Sequence, residues 1–158
     1  MEEKIALVTG ASRGIGSQIA KTLAKKNIFV VVNYSGSKEK AEQTAEEIIN
    51  AGGKAVVYGC DISDFYATED MVKEIVKQYG RLDILINNAG MGVSGATEFI
   101  AEDEARRLMD IDFFAAWLCA KEALPLLRKS KSAKIINISS VAAVFAIPSR
   151  SAGSRPTP

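Results

Sequence analysis

A glycine-rich turn near the start of the chain is the first sequence feature that could bind a ligand. Residues 9–16 read Thr-Gly-Ala-Ser-Arg-Gly-Ile-Gly and lie between a short apolar run and an amphipathic one. Gly10 would permit a tight turn, Gly14 would let the backbone approach a phosphate, and Gly16 would let the next helix pack closely. The first N–H groups of that helix have no partner within it and attract anions. A glycine turn alone is weak evidence, but with these flanking runs it indicates binding of a dinucleotide pyrophosphate.

Residue types that are absent exclude several kinds of chemistry. The 158-residue chain has no histidine, which excludes a Ser-His-Asp triad, a Cys-His pair and any metal site with a histidine ligand. The formal net charge is +1, so charge gives no reason to expect nucleic acid or an anionic membrane as a partner. Cys60 and Cys119 lie far apart in the sequence and are interpreted as reduced, buried residues of a cytoplasmic protein. No apolar run approaches the length of a signal peptide or a membrane span.

Apolar and amphipathic runs alternate along the chain, which predicts a parallel sheet with helices on both faces. In the first helix, one face is expected to point inward, and it carries Ile15, Ile19, Ala20 and Leu23. The predicted fold class is α/β, an open doubly wound, Rossmann-like sheet. We expect one domain over residues 1–148, followed by an irregular tail over residues 149–158 that is rich in Ser, Arg, Gly and Pro. The predicted strands cover residues 5–8, 29–32, 55–58, 82–86 and 134–139, and the predicted helices cover residues 15–26, 38–51, 64–79 and 101–128.

Four motifs, in order along the chain, resemble those of the short-chain dehydrogenase/reductase family. The resemblance runs from Lys4 to about Ala152, and residues 6–16 and 31–34 are most similar to 3-oxoacyl-[acyl-carrier-protein] reductases. It implies a cytoplasmic oxidoreductase of fatty acid biosynthesis that acts on small-molecule or acyl-carrier-linked substrates. The motifs are Thr9-Gly10-x-x-x-Gly14-x-Gly16, Asp61 after the third strand, Asn87-Asn88-Ala89-Gly90 after the fourth, and Ile138-Ser139-Ser140 at the end of the fifth.

The residues after the second strand favour NADP(H) over NAD(H) as the cofactor. An acidic residue there would accept hydrogen bonds from the ribose 2′-hydroxyl of NAD, but this sequence has Asn33, Tyr34 and Ser35. Arg13 in the glycine turn could pair with the 2′-phosphate of NADP, and Lys38 would add positive charge. The alternative is that Arg13 is only a solvated charge in a loop.

The resemblance assigns further residues to the cofactor. It implies that Asp61 binds the adenine amino group, although Asp61 could instead cap the following helix, for which Ser63 or Asp64 is better placed. It implies that Asn87, Ala89 and Gly90 line the ribose, although these residues could simply form a turn. The complete predicted set is Gly10, Ser12, Arg13, Gly14, Ile15, Gly16, Asn33, Tyr34, Ser35, Asp61, Ile62, Asn87, Ala89 and Gly90.

Most positions that carry catalysis in the family are altered in this chain. The family uses a Tyr as proton donor, and a Lys four residues later lowers the pKa of that Tyr and holds the nicotinamide ribose. A Ser orients the substrate carbonyl, and a helix Asn sustains a proton relay. Ser140 matches the Ser, and Asp112 stands at the Asn position. Counting on by the family's spacing places Gly153 at the Tyr position and Thr157 at the Lys position.

Two functions remain open from the sequence. One is NADP(H)-dependent reduction of a 3-oxoacyl thioester or similar ketone, and the other is a catalytically silent nucleotide-binding remnant or gene fragment. Tyr34 and Lys38 have the Tyr-x-x-x-Lys spacing, but they follow the second strand on the adenosine side and do not replace the missing pair. Family chains continue with two more strands and a lid. We therefore expect a truncated chain that is inactive alone, binds no metal, and does not form the homotetramer common in the family.

Overall fold

The fold is a parallel sheet of five strands with helices on both faces. A computed structural model describes residues 3–140. The strands are β1 (Lys4–Val8), β2 (Ile28–Tyr34), β3 (Ala55–Gly59), β4 (Ile84–Asn87) and β5 (Lys134–Asn137). The helices are α1 (Gly14–Ala24), α2 (Lys38–Asn50), α3 (Phe65–Tyr79), α4 (Glu102–Met109) and α5 (Ala115–Leu127).

All described strand pairs are parallel, and their order is β3-β2-β1-β4-β5. This confirms the predicted doubly wound α/β fold. No helix in the described part of the chain is long and apolar enough to cross a membrane. The predicted end of the domain at residue 148 and the tail over residues 149–158 lie outside the described residues.

The two faces of the central strand β1 supply two separate hydrophobic cores. Ile5 and Leu7 point to the side covered by α3 and α5, whereas Ala6 and Val8 point to the side covered by α1 and α2. All four side chains are at most 5% exposed. Because both faces are covered, the strand reads as a continuous apolar run rather than an alternating one.

The predicted inward face of α1 is confirmed for Ala20, which is fully buried, and Ile19 and Leu23 pack partly buried against the core. The prediction is wrong for Ile15, which is 65% exposed. The fully buried residues of the helix are all small and include Gly16 and Ala20. Small side chains let the helix axis come close to the sheet and to the turn that precedes it, so the larger side chains lie toward the side of this contact. There, Ile15, Ile19 and Leu23 line an open apolar groove of about 600 Å³.

The long helix predicted over residues 101–128 is interrupted. A π-helical turn, Asp110–Phe114, separates α4 from α5. None of the residues of α4 is buried, whereas α5 packs on the sheet through residues such as Leu118 and Cys119. The turn thus divides an exposed helix near the carboxyl ends of the strands from a buried one.

The edge strand β5 is exposed on both faces. Ile135 is 39% exposed and Ile136 is 42% exposed. Parallel strands are normally covered on both faces, so β5 differs from the other strands in leaving apolar side chains exposed.

The buried carboxylate of Asp83 ties the amino ends of the strands together. Its oxygens accept two hydrogen bonds from Arg81, both at 2.9 Å, one from the Ser130 hydroxyl at 2.5 Å and one from the Ile5 N–H at 2.9 Å. Burial alone would raise the pKa of this carboxyl, but these hydrogen bonds outweigh burial and hold it below its ordinary value. Asp83 is therefore ionised in the folded protein at neutral pH.

Replacing Asp83 by Ala should destabilise the fold by about 3 kcal/mol, because the Ile5 N–H and the Arg81 guanidinium lose a buried partner. The lowered pKa means that the carboxylate stabilises the fold fully above its unfolded pKa of about 4, and that this contribution is lost as the pH falls further. Urea unfolding followed by circular dichroism should show the difference at pH 7 and a smaller one near pH 3. Asp70→Asn, at an exposed carboxylate, is the control. Equal effects of the two substitutions at pH 7 would contradict this role.

Candidate functional site

A cavity of about 430 Å³ opens at the carboxyl ends of the strands. It lies where the chain leaves β1, β2, β3 and β4, which is where open α/β sheets bind ligands. The exposed helix α4 and the π-helical turn contribute Arg107 and Ile111 to its wall. The residues predicted to bind a cofactor that line this cavity are Gly10, Ser12, Arg13, Gly14, Tyr34, Ser35, Asp61, Ile62, Ala89 and Gly90.

Four residues of the predicted set do not line the cavity. Gly16, Asn33 and Asn87 are buried behind its wall, and the Ile15 side chain lies in the apolar groove on the flank of α1. These four positions therefore reach a ligand in the cavity only through their backbone or through the residues they hold in place.

The glycine turn has a backbone that few other residues could adopt. Gly10 has φ +61° and Gly14 has φ +60°, in the left-handed region. A Cβ on Gly10 would also lie 2.8 Å from the Cα of Ala89, whereas Gly14 has open space around it. Gly10 thus permits both the turn and the close approach of the loop after β4, and Gly14 is required for its backbone conformation alone.

Thr9 and Asn88 join the glycine turn to the loop after β4. The Thr9 hydroxyl oxygen accepts hydrogen bonds from the N–H groups of Asn88 at 3.0 Å and Ala89 at 3.1 Å. The Asn88 amide donates to the carbonyls of Thr9 at 2.9 Å and Gly10 at 3.1 Å. Neither residue belongs to the predicted cofactor-binding set, although both stand inside the motifs that carry the family resemblance.

Asn33 supports the same turn from the other side. Its side-chain oxygen accepts the Gly10 N–H at 3.2 Å, and its amide donates to the Cys60 carbonyl at 3.1 Å. The Asn33 carbonyl accepts the Ala11 N–H at 2.8 Å. Asn33 is 1% exposed, so it positions the turn from within the protein instead of facing a ligand.

Asp61 presents a carboxylate to the cavity beyond the end of β3. One oxygen accepts the Ser63 N–H at 3.0 Å and the Ser63 hydroxyl at 2.7 Å, and the other lies 3.3 Å from the Arg107 guanidinium. Burial would raise the pKa of this carboxyl, but the hydrogen bonds from Ser63 and Arg107 outweigh it and lower the pKa. Asp64 caps α3 by accepting the Ala67 N–H at 3.0 Å, so Asp61 is free of that role.

Positive charge at the cavity comes from Arg13 and Arg107. Arg13 precedes α1 directly, is exposed, and has no ion-pair partner within residues 3–140. Lys38 is not part of the cavity wall and pairs instead with Glu42 at 3.6 Å. Asp61 is the acidic residue in the wall, and the segment after β2 contributes only Tyr34, Ser35, Gly36 and Ser37.

Of the four positions predicted to correspond to catalytic ones, two lie within the described residues. Ser140 is exposed and is the last described residue, after β5. Asp112 lies in the π-helical turn, where its Oδ1 accepts the Met91 N–H at 2.9 Å. Asp112 thereby contacts the loop after β4. The predicted uninterrupted helix over residues 101–128 did not indicate this contact. Gly153 and Thr157 lie outside the described residues.

Asn87 ties β4 to its neighbours beneath the site. Its amide donates to the Asn137 side chain at 2.8 Å and to the Ala116 carbonyl at 3.2 Å. The side chain is buried, and its oxygen has no hydrogen-bond partner among the described residues. These contacts hold β4, β5 and α5 together.

A protein-family model described as short chain dehydrogenase matches residues 4–154. The chain belongs to this family. It is 42% identical over 138 residues to the 3-oxoacyl-[acyl-carrier-protein] reductase FabG of Staphylococcus aureus, and the match covers 87% of this chain. It is 44% identical over 141 residues, 89% of this chain, to an uncharacterised oxidoreductase of Methylorubrum extorquens. Both matches cover 56% of the relative.

A solved structure shows the same fold. The crystal structure of a metagenomic short-chain oxidoreductase in complex with NADP superimposes with a TM-score of 0.88 at 34% identity. The match covers 93% of this chain and 66% of that one. The chain spans little more than half the length of the two curated relatives described above.

The join between the glycine turn and the loop after β4 can be tested at Gly16. A Cβ there would meet the Asn88 amide and would lie 2.6 Å from the Gly10 carbonyl oxygen. We expect Gly16→Ala to lower the free energy of unfolding by about 1 to 3 kcal/mol because backbone and Asn88 must both shift. Urea unfolding followed by circular dichroism measures this.

Gly36→Ala is the matched control, because Gly36 lines the same cavity but has nothing within 4 Å of an added Cβ. It should change the free energy of unfolding by no more than about 0.5 kcal/mol. Similar losses in the free energy of unfolding of the two variants would show that the close contact with Asn88 and Gly10 does not explain the need for glycine at position 16.

Proposed function

We propose that this short-chain dehydrogenase binds NADP(H) in the cavity at the carboxyl ends of its strands. The observation that carries the proposal is that Asp61 and the glycine turn line one cavity whose wall has no carboxylate after β2. The adenine would lie at Asp61 and the pyrophosphate at the first turn of α1. The residues fit such a group because Gly14 leaves open space beside the turn and the helix N-terminus offers N–H groups.

The preference for NADP(H) over NAD(H) rests on the charges at the cavity. An acidic residue after β2 would repel a 2′-phosphate, and this chain has Tyr34 and Ser35 there. Arg13 is exposed at the rim without an ion-pair partner in the described residues, so its guanidinium is available to a phosphate. The NADP bound in the related metagenomic oxidoreductase supports this choice.

We propose that a complete site of this kind reduces a 3-oxoacyl thioester, carried by a small molecule or an acyl carrier, or a similar ketone. The similarity of this chain to the reductase of Staphylococcus aureus supports this substrate class. When bound, the reduced nicotinamide supplies a hydride. The Ser140 hydroxyl would orient the carbonyl that receives it, and a proton must reach the carbonyl oxygen.

We infer that the 158-residue chain by itself binds the cofactor without catalysing the reaction. Gly153 at the proton-donor position has no ionisable group, and Thr157 has no ammonium to lower a pKa or hold a ribose. Asp112 accepts the Met91 N–H, but unlike an Asn it has no side-chain N–H to donate in a relay. These three positions favour the second function considered above, a silent nucleotide-binding chain.

Calorimetry with NADP and NAD tests the cofactor assignment. We expect NADP to bind at least about tenfold more tightly than NAD, since a charged hydrogen bond to the 2′-phosphate contributes about 1.5 kcal/mol or more. Arg13→Ala should reduce this preference about five- to tenfold, and Lys25→Ala, at an exposed lysine outside the cavity, should leave it unchanged. Equal affinities of the parent chain for the two nucleotides would refute the assignment.

An assay of NADPH oxidation with acetoacetyl thioesters tests the proposed lack of turnover. We expect a rate at least about a hundredfold below that of an intact family member, because general-acid assistance contributes a factor of about 10² to 10⁴. Cofactor binding is measured on the same sample, so that missing turnover is not confused with missing cofactor. Turnover within about tenfold of the intact enzyme would overturn this inference.

A further inference from the structure

The two carboxylate oxygens of Asp61 have different kinds of partner. Oδ1 is held within its own loop by the N–H and the hydroxyl of Ser63, two residues away. Oδ2 is approached from α4 by the Arg107 guanidinium at 3.3 Å. The first pair of contacts fixes the orientation of the carboxylate, so Oδ2 is the oxygen left to face a ligand in the cavity.

The contact between Oδ2 and Arg107 can be displaced at low cost. It is a single, long hydrogen bond, and the Arg107 side chain is 57% exposed. Ion pairs this exposed contribute little to stability. Arg107 also belongs to a helix without buried residues, so its side chain has room to move away from Asp61 while staying at the cavity wall beside Ile111.

We propose that Arg107 is a specificity-determining residue at the purine end of the proposed cofactor site. Its guanidinium competes with the 6-amino group of adenine for Asp61 Oδ2, and it donates to the 6-oxo group of a hypoxanthine-type base. The proposal rests on the proposed function, and it adds a residue that sequence reasoning did not select.

The chemistry of the two bases explains the expected effect. Adenine has an amino group at position 6, and a lone carboxylate accepts a hydrogen bond from it. A 6-oxopurine has an acceptor there, which a lone carboxylate repels and a guanidinium satisfies. A site with Asp61 alone would therefore discriminate strongly for adenine, whereas Asp61 together with Arg107 provides both an acceptor and a donor and should tolerate both bases.

The experiment compares calorimetric affinities for adenosine 2′,5′-bisphosphate and for its hypoxanthine analogue. The two nucleotides carry the same charge, so the general attraction of a cation for phosphate cancels in the ratio of their affinities. We expect the parent chain to prefer the adenine nucleotide less than about tenfold. Arg107→Ala should increase that preference about three- to tenfold.

Arg106→Ala is the matched control, because Arg106 neighbours Arg107 on α4 but bonds to Glu102 at 2.9 and 2.6 Å and is not part of this cavity wall. It should leave the ratio unchanged. An unchanged ratio in Arg107→Ala, or an equal change in both variants, would overturn the role of Arg107 while leaving the cofactor proposal intact. Failure of the parent chain to bind either nucleotide would instead overturn the proposed function, and this inference with it.

Discussion

The cavity at the carboxyl edge of the sheet depends on the hydrogen bonds that hold the glycine turn between β2 and β4. The turn has two residues with positive φ and would be free to adopt many conformations in an isolated peptide. Asn33 holds it from β2, and Thr9 and Asn88 hold it from the loop after β4. Gly16 has no side chain, which allows the first turn of α1 to pack against the Asn88 amide and the Gly10 carbonyl. The shape of the cavity thus depends on Asn33, Thr9 and Gly16, which do not line it, together with Asn88, which does.

This constraint also explains the packing of α1. Because the helix begins close to Asn88 and the Gly10 carbonyl, only small residues such as Gly16 and Ala20 fit on its inner face. Of its larger apolar side chains, Ile19 and Leu23 pack partly buried against the core, and Ile15 is largely exposed. Site geometry and core packing are therefore coupled through the position of a single helix.

The opposite part of the site is built more loosely. The exposed helix α4 reaches the cavity through Arg107 and is joined to α5 by the π-helical turn, in which Asp112 bonds to the loop after β4. On the same side, the edge strand β5 is exposed on both faces, and the chain spans 56% of the length of the relatives it matches. The well-packed region of the fold carries the glycine turn and Asp61, and the less covered region carries Ser140 and Asp112.

The sequence by itself determined the order of strands and helices, the parallel sheet and the family, because these depend on local apolar periodicity and on contiguous motifs. It also selected most residues of the cavity wall, since the carboxyl ends of parallel strands meet at one edge. Only the tertiary structure decided that Ile15 is exposed on α1, that Asn33 and Asn87 point into the protein, and that α4 ends at a π-helical turn. The contact between Arg107 and Asp61 was likewise visible only in the tertiary structure. These features arise from contacts between residues far apart in the chain, such as Asp61 with Arg107 or Thr9 with Asn88, which leave no periodic signal in either segment.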